Sequence, residues 1–113
     1  MGRIENLMQF VETSPGDPFP RYGLAMELKN TGRLDEAQRA FAELVSKFPD
    51  YIPAYLHAGN VLVELGRRDE AAETYRAGMA ACGRKRPPDS HALGELQAAL
   101  ASLEHPDDPE AQP

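Results

Sequence analysis

A six-residue pattern that recurs 34 positions further along constrains the fold of this chain more than any other feature. Gly32-Arg33-Leu34-Asp35-Glu36-Ala37 returns as Gly66-Arg67-Arg68-Asp69-Glu70-Ala71, and Phe41 returns as Tyr75 at the same displacement. A repeat of this length is one supersecondary unit that cannot bury its apolar face alone, so successive copies must stack. The sequence therefore predicts an array of similar units.

The residue types of the repeat predict two helices in each unit. Gly32 and Gly66 lie where a chain that leaves a helix needs a left-handed conformation. The acids that follow each glycine open a second helix, because carboxylates are favourable beside its unpaired N–H groups. Pro49 ends a second helix, since the residue before a proline avoids the helical region. We predict six helices, at about 3–13, 18–31, 34–48, 52–65, 68–82 and 89–104.

The apolar pattern of each unit resembles the tetratricopeptide repeat family. One copy contains Leu24-Ala25-x-x-Leu28, Ala37-x-x-x-Phe41 and Pro49, and the next contains Tyr55-x-x-Ala58-Gly59-x-x-Leu62 and Ala71-x-x-x-Tyr75. Arg21 and Gly83 depart from it, because they stand where the family has a bulky residue such as Trp and a second proline. The resemblance implies an all-α fold, a right-handed tetratricopeptide helical-hairpin solenoid of about six helices. Small residues at Gly59 and Ala71 should let paired helices approach closely.

We predict a single domain over residues 1–104. It contains, in order, a half-repeat at 3–16, a repeat at 18–51, a repeat at 52–85 and a C-terminal half-repeat helix at 89–104. The tail at 105–113 holds three prolines and three acids and is predicted to be disordered.

Charge and apolar patterning argue against nucleic-acid and membrane partners. Up to Glu104, 12 basic residues stand against 15 acids, so no basic face is expected to displace counterions from phosphate. No run approaches the roughly 20 apolar residues of a membrane-spanning helix, and acids interrupt the N-terminus where a signal peptide would need an apolar run. The single cysteine, Cys82, fits a reducing compartment, so we predict a cytoplasmic protein. Nine Arg against three Lys suggest a bacterial source.

The motifs of catalysis and cofactor binding are missing from the sequence. It has no glycine-rich phosphate loop, nucleophile elbow or HExxH pair, so we predict that the protein is not an enzyme and carries no cofactor. Cys82, His57 and His91 have no metal-ligand spacing, and Cys82 is interpreted as a packing residue. The basic cluster Arg84-Lys85-Arg86 complements a helix C-terminus or, alternatively, docks an acidic partner.

The family resemblance implies a concave groove lined by the first helices of successive repeats. By register with the family, the predicted groove residues are Phe19, Tyr22, Met26, Asn30, Leu56, His57, Asn60, Glu64, His91 and Glu95. The alternative is that they are solvated helix faces. Tyr22, Met26 and His57 occupy places where carboxylate-gripping members of the family have their clamp, so an acidic C-terminal peptide is not the expected ligand.

A stripe of small residues at Gly94, Ala98 and Ala101 follows one face of the last predicted helix. It is either an exposed helix face or a terminal docking site for a second copy or a partner's helix. We predict a non-catalytic adaptor that binds a peptide or helix of a partner protein in the groove. The alternative is a structural module that forms a homo-oligomer, such as a homodimer, through its terminal helices.

Overall fold

The computed structural model describes residues 2–105, and every regular element in that range is an α-helix. The helices are α1 (Arg3–Thr13), α2 (Pro18–Asn30), α3 (Leu34–Lys47), α4 (Pro53–Glu64), α5 (Arg68–Arg84) and α6 (Ser90–Glu104). The six predicted helices are confirmed, and their ends lie within two residues of the predicted ones. Apart from His105, the C-cap of α6, the predicted disordered tail lies outside the described residues.

The two turns inside the repeats have the same geometry. Gly32 has φ of 80° and Gly66 has φ of 77°, which is the left-handed region that favours glycine. The next residue closes each turn, because the N–H of Arg33 donates to Leu28 O at 2.9 Å and that of Arg67 to Leu62 O at 2.8 Å. The recurring sequence therefore encodes a recurring turn.

The acids at the start of α3 and α5 lie in the first helical turn, as predicted. Neither helix has a side-chain cap on its first N–H groups. Instead, Arg33 binds Glu36 at 2.7 Å and Arg67 binds Glu70 at 2.5 Å, each across one helical turn. The hydrogen bond from Arg33 lowers the pKa of Glu36. These pairs brace the first turn, since residues three apart are neighbours on a helix surface.

Helices pack mainly against their neighbours in sequence, so the chain forms successive helical hairpins. In addition, α4 contacts both α2 and α6. The first helices α2, α4 and α6 therefore form one row, and α1, α3 and α5 lie behind it. The molecule measures 45 × 33 × 19 Å, so it is about two helix diameters thick.

The core consists of two clusters that meet at one residue. Phe41 and Leu44 belong to the first cluster, and Tyr75 and Leu96 belong to the second. Val45 of α3 packs against both clusters. The apolar interior is therefore continuous from the first hairpin to α6, as stacking requires.

The close approach of α4 and α5 depends on an aromatic ring. A Cβ added to Gly59 would lie 2.2 Å from Cε1 of Tyr75. The structure places the Tyr75 ring against this glycine, a contact that the sequence did not predict. Ala71, the residue that the sequence predicted to face Gly59, is fully buried in the second cluster.

Candidate functional site

The first helices together form a concavity of about 230 Å³. Four of the predicted groove residues line it: Tyr22 from α2, Leu56 and His57 from α4, and Glu95 from α6. Ile52, Pro53, Asp89, Ala92 and Leu96 complete the lining. Residues that lie 39 positions apart in sequence, such as His57 and Leu96, meet here because α4 packs directly on α6.

Tyr22 forms an aromatic wall on the α2 side. Its ring centroid lies 5.5 Å from that of Tyr51 and 6.2 Å from that of His57, and both ring pairs are tilted by 56°. Such tilted arrangements are favourable for aromatic pairs. Partial burial raises the pKa of the Tyr22 phenol, so the hydroxyl stays neutral and available as a donor or an acceptor.

His57 is held by a lysine that the sequence analysis did not single out. Lys29 Nζ of α2 lies 3.2 Å from His57 Nδ1. Burial lowers the pKa of His57, the nearby Lys29 ammonium lowers it further, and Glu95 acts in the opposite direction. The imidazole is therefore more strongly biased towards the neutral form than a free histidine.

A second concavity of about 470 Å³ lies at the other end of α4. Asn60 and Glu64 line it, together with Lys29, Val63, Arg68, Tyr75, Ala99, Ser102 and Leu103. Here the Tyr75 hydroxyl donates to Oδ1 of Asn60 at 2.6 Å. Asn60 therefore lines this concavity, while its carbonyl oxygen also links α4 to α5.

The remaining predicted groove residues line neither concavity. Phe19 is 67% exposed, Asn30 is exposed, and Met26 is half-buried against the first core cluster. The His91 side chain is 89% exposed, with its Nε2 3.4 Å from Glu95 Oε1. Phe19, Met26 and Asn30 lie beside Tyr22 on the helical surface of α2, so they extend the same face outwards.

The roles of two basic residues near the groove, Lys29 and Arg68, were not predicted from the sequence, for different reasons. Lys29 lies seven residues after Tyr22, and two helical turns place both on one face, so this spacing was a usable signal. Arg68 donates to the carbonyl of Leu103 on α6. That contact depends on how α5 packs on α6, and no local sequence pattern encodes it.

The basic cluster at the end of α5 binds its own chain. Arg84 pairs with Asp50 at 2.8 Å, and Lys85 lies 3.7 Å from Asp89. Arg86 donates to the carbonyl of Gly83 at 2.6 Å. These contacts favour the first interpretation, that the cluster complements the end of the helix. They argue against the second, that it docks an acidic partner.

Cys82 does not have the surroundings of a reactive thiol. Cys82 is fully buried, and burial raises the pKa of its thiol, which disfavours the nucleophilic thiolate. Within residues 2–105, no group of three or more His, Cys, Asp or Glu side chains could hold a metal ion. No helix in the part of the chain that the structure describes is long and apolar enough to cross a membrane.

The small-residue stripe on α6 faces away from the helices that α6 contacts. A Cβ at Gly94 would meet nothing within 4 Å, Ala98 is exposed, and Ala101 is half-buried. The buried side of α6 is formed by Leu96 and Leu103. The stripe is therefore open at Gly94 and Ala98 and partly covered at Ala101.

Comparison with known proteins identifies relatives with this architecture. The model of the tetratricopeptide repeat family matches residues 28–81. A tetratricopeptide repeat domain protein from Salinibacter ruber is similar to this chain in two solved structures. Its solution structure is 37% identical, with a TM-score of 0.71, and the match covers 80% of this chain and 89% of that one. Its crystal structure is 36% identical, with a TM-score of 0.73, and the match covers 80% and 100%.

A more distant structure supports the fold alone. The solution structure of a protein from Bordetella parapertussis is 22% identical, with a TM-score of 0.76, and the match covers 95% of this chain and 91% of that one. None of the curated proteins matches the chain.

Proposed function

The chain belongs to the tetratricopeptide repeat family, and from that premise we propose that it is a non-catalytic adaptor which binds a peptide or helix of a partner protein in its groove. The observation that carries the proposal is the concavity where Tyr22, Leu56, His57 and Glu95 converge from three separate helices. A concave surface that combines apolar walls with a few polar groups is the usual form of a binding site.

The chemistry of the lining indicates what the partner presents. Tyr22 and Leu56 offer apolar surface, while His57 and Glu95 offer a hydrogen-bond donor and an acceptor beside it. The partner segment should therefore place an apolar side chain next to polar groups. In this proposal the protein acts in the bacterial cytoplasm, with a protein partner and without nucleic acid, membrane or cofactor.

A groove variant tests the proposal. We would replace Phe19, Tyr22 and His57 by alanine and compare capture of partners from a lysate of the source cells with capture by the unchanged protein. Asn60 is left out because its carbonyl oxygen binds Tyr75. The captured partner should bind the variant at least tenfold more weakly in calorimetry, since aromatic anchors dominate such interfaces.

The matched control replaces Met8, Arg39 and Lys47 by alanine, three exposed residues on the row of second helices. It should bind like the unchanged protein. Equal binding by a folded groove variant, as judged by circular dichroism, would place the binding surface elsewhere and refute the proposal.

A second candidate function is self-association through the terminal helices. Phe10 of α1 is 58% exposed, whereas Leu44, 34 residues later in the repeat, is fully buried. At the other end, the stripe of Gly94, Ala98 and Ala101 on α6 is open. In this alternative, α1 or α6 packs against a second copy.

Sedimentation separates the two candidates, and the Ala98→Arg variant tests association through α6. If the chain associates through α6, bulk and charge at this position should return it to the monomer, while the variant Ala42→Arg on an exposed position of α3 should still associate. A chain that sediments as a monomer over a wide range of concentration would leave the adaptor as the function.

A further inference from the structure

The contact between Lys29 of α2 and His57 of α4 constrains the chemistry of the groove. A lysine ammonium has three donors and no acceptor. Across the 3.2 Å between Lys29 Nζ and His57 Nδ1, the histidine nitrogen must therefore accept. An imidazole that accepts at Nδ1 is neutral and carries its proton on Nε2.

We propose that Lys29 is the positioning residue of the groove: it holds His57 in the tautomer with the proton on Nε2, so that this N–H donates to a carbonyl oxygen of the bound partner. The inference rests on the proposed function for the partner, but the tautomer itself is a property of the free protein. Without Lys29, the two neutral tautomers of His57 would compete.

The contact with Lys29 uses Nδ1 of His57 and leaves Nε2 for an acceptor from outside the chain. Within residues 2–105, the recorded hydrogen bonds of His57 use only Nδ1. The Tyr22 ring lies against the imidazole from α2, and the concavity continues past it to Leu56 and Glu95. A donor at the wall of an open concavity has room for an acceptor from outside the chain.

The charges around His57 favour a neutral acceptor over a carboxylate. From α2, the ammonium group of Lys29 contacts the ring and is already engaged with Nδ1. From the side of α6, Glu95 and the preceding Asp89 line the same concavity with negative charge. A ligand carboxylate would meet these like charges, whereas a main-chain or amide carbonyl would not.

Nitrogen-15 NMR of the imidazoles in the full chain tests the positioning role without any ligand. The unchanged protein should show His57 with its proton on Nε2. Lys29→Met should raise the pKa of His57 and mix the two tautomers, because both the donor and the neighbouring positive charge are lost. Lys29→Arg should restore the tautomer, since a guanidinium also has only donors.

His91 serves as the internal reference, because its side chain is 89% exposed and lies next to Glu95, whereas His57 lies next to Lys29. A signal for Nδ1–H on His57 in the unchanged protein would overturn the proposal. The proposal would also be overturned if Lys29→Met left both the tautomer and the pKa of His57 unchanged. A purely structural contact would alter stability and leave these signals in place.

Two His57 variants test whether Nε2–H donates a hydrogen bond to the partner. The probe is a partner captured from a lysate of the source cells. The amide nitrogen of glutamine replaces Nε2, and the amide oxygen of asparagine replaces the acceptor at Nδ1. His57→Gln should keep the affinity for the captured partner, and His57→Asn should weaken it about 2- to 10-fold, the value of one neutral hydrogen bond. Equal affinity of the two variants would overturn the donation. If the unchanged protein captures nothing, the adaptor function fails, and NMR alone decides the role of Lys29.

Discussion

Two glycines on equivalent first helices, Gly59 and Gly94, meet different surroundings. A Cβ at Gly59 would lie 2.2 Å from the Tyr75 ring, whereas one at Gly94 would meet nothing within 4 Å. Gly59→Ala should therefore destabilise the protein by about 1–3 kcal/mol through overpacking. Gly94→Ala should stabilise it by about 0.5–1 kcal/mol, because alanine is the better helix former. Urea unfolding of the two variants measures both values, and equal effects would contradict the packing of Tyr75 on α4.

Stability should depend on pH through His57. Burial and Lys29 lower the pKa of His57 in the folded protein below its ordinary value of 6.5. Between the folded pKa and 6.5 the unfolded chain binds more protons than the folded one, so the free energy of unfolding rises with pH in that window. The stability present above pH 6.5 should be lost as the pH falls through the folded pKa.

Urea unfolding between pH 5 and 8 measures this dependence, with His57→Gln as the control that lacks the titrating group. The slope of stability against pH in this window should be smaller in His57→Gln. A slope that the substitution leaves unchanged would assign the pH dependence to other groups.

At the same scale, the sequence predicted part of the site. Four residues named from the family register, Tyr22, Leu56, His57 and Glu95, line one concavity. The register did not predict that the carbonyl oxygen of Asn60 binds the Tyr75 hydroxyl. That bond depends on the axial offset between α4 and α5, and no residue pattern within either helix records the offset.

At the scale of the helix, α1 is the least integrated element of the described chain. It has no fully buried residue and packs against α2 alone. Its apolar contacts include Ile4, which packs against the first core cluster, and Leu7, which lies 3.2 Å from the Cβ position of Gly23. This partial burial still stabilises α2, since the exposed face of an end helix must be covered for the array to persist.

Deletion of residues 1–16 should lower the melting temperature by several degrees, because each kcal/mol lost shifts Tm by about 4–8 °C in a domain of this size. Leu7→Ala should reproduce part of the loss, whereas Met8→Ala, at an exposed position of the same helix, should have little effect. Differential scanning calorimetry makes the comparison. A truncated chain that keeps its melting temperature would show that α1 adds nothing to the array.

Helix boundaries were predictable where a local signal defines them. Gly32 and Gly66 end α2 and α4 because both adopt positive φ. The prediction stopped α5 at 82, but the helix continues to Arg84. Gly83 does not adopt positive φ, so it lies inside the helix. A glycine ends a helix only when its backbone turns, and that turn is not visible in the residue type.

At the scale of the whole molecule, stability should decrease from the centre of the array towards α1. Helices α4 and α5 carry most of the buried residues, and α1 carries none. Units that contact only their neighbours unfold most easily at the ends. Hydrogen exchange of the native chain should therefore show the α1 amides exchanging faster than those of α4. Equal protection of both helices would indicate a single cooperative unit, with Val45 joining the two clusters strongly enough to suppress fraying.

The thinness of the molecule has a consequence for how such a chain can evolve. At 19 Å there is no layer between the groove and the core, so Leu56 lines the concavity and also packs against the second core cluster. Mutations of Leu56 that favour a new partner would also lower the stability of the fold, so they would be selected against. Phe19 and Glu64 are exposed on the same row of helices, so they can vary with little effect on stability. New specificities in this lineage should therefore arise first at the rim of the groove and reach its floor only after stabilising substitutions elsewhere.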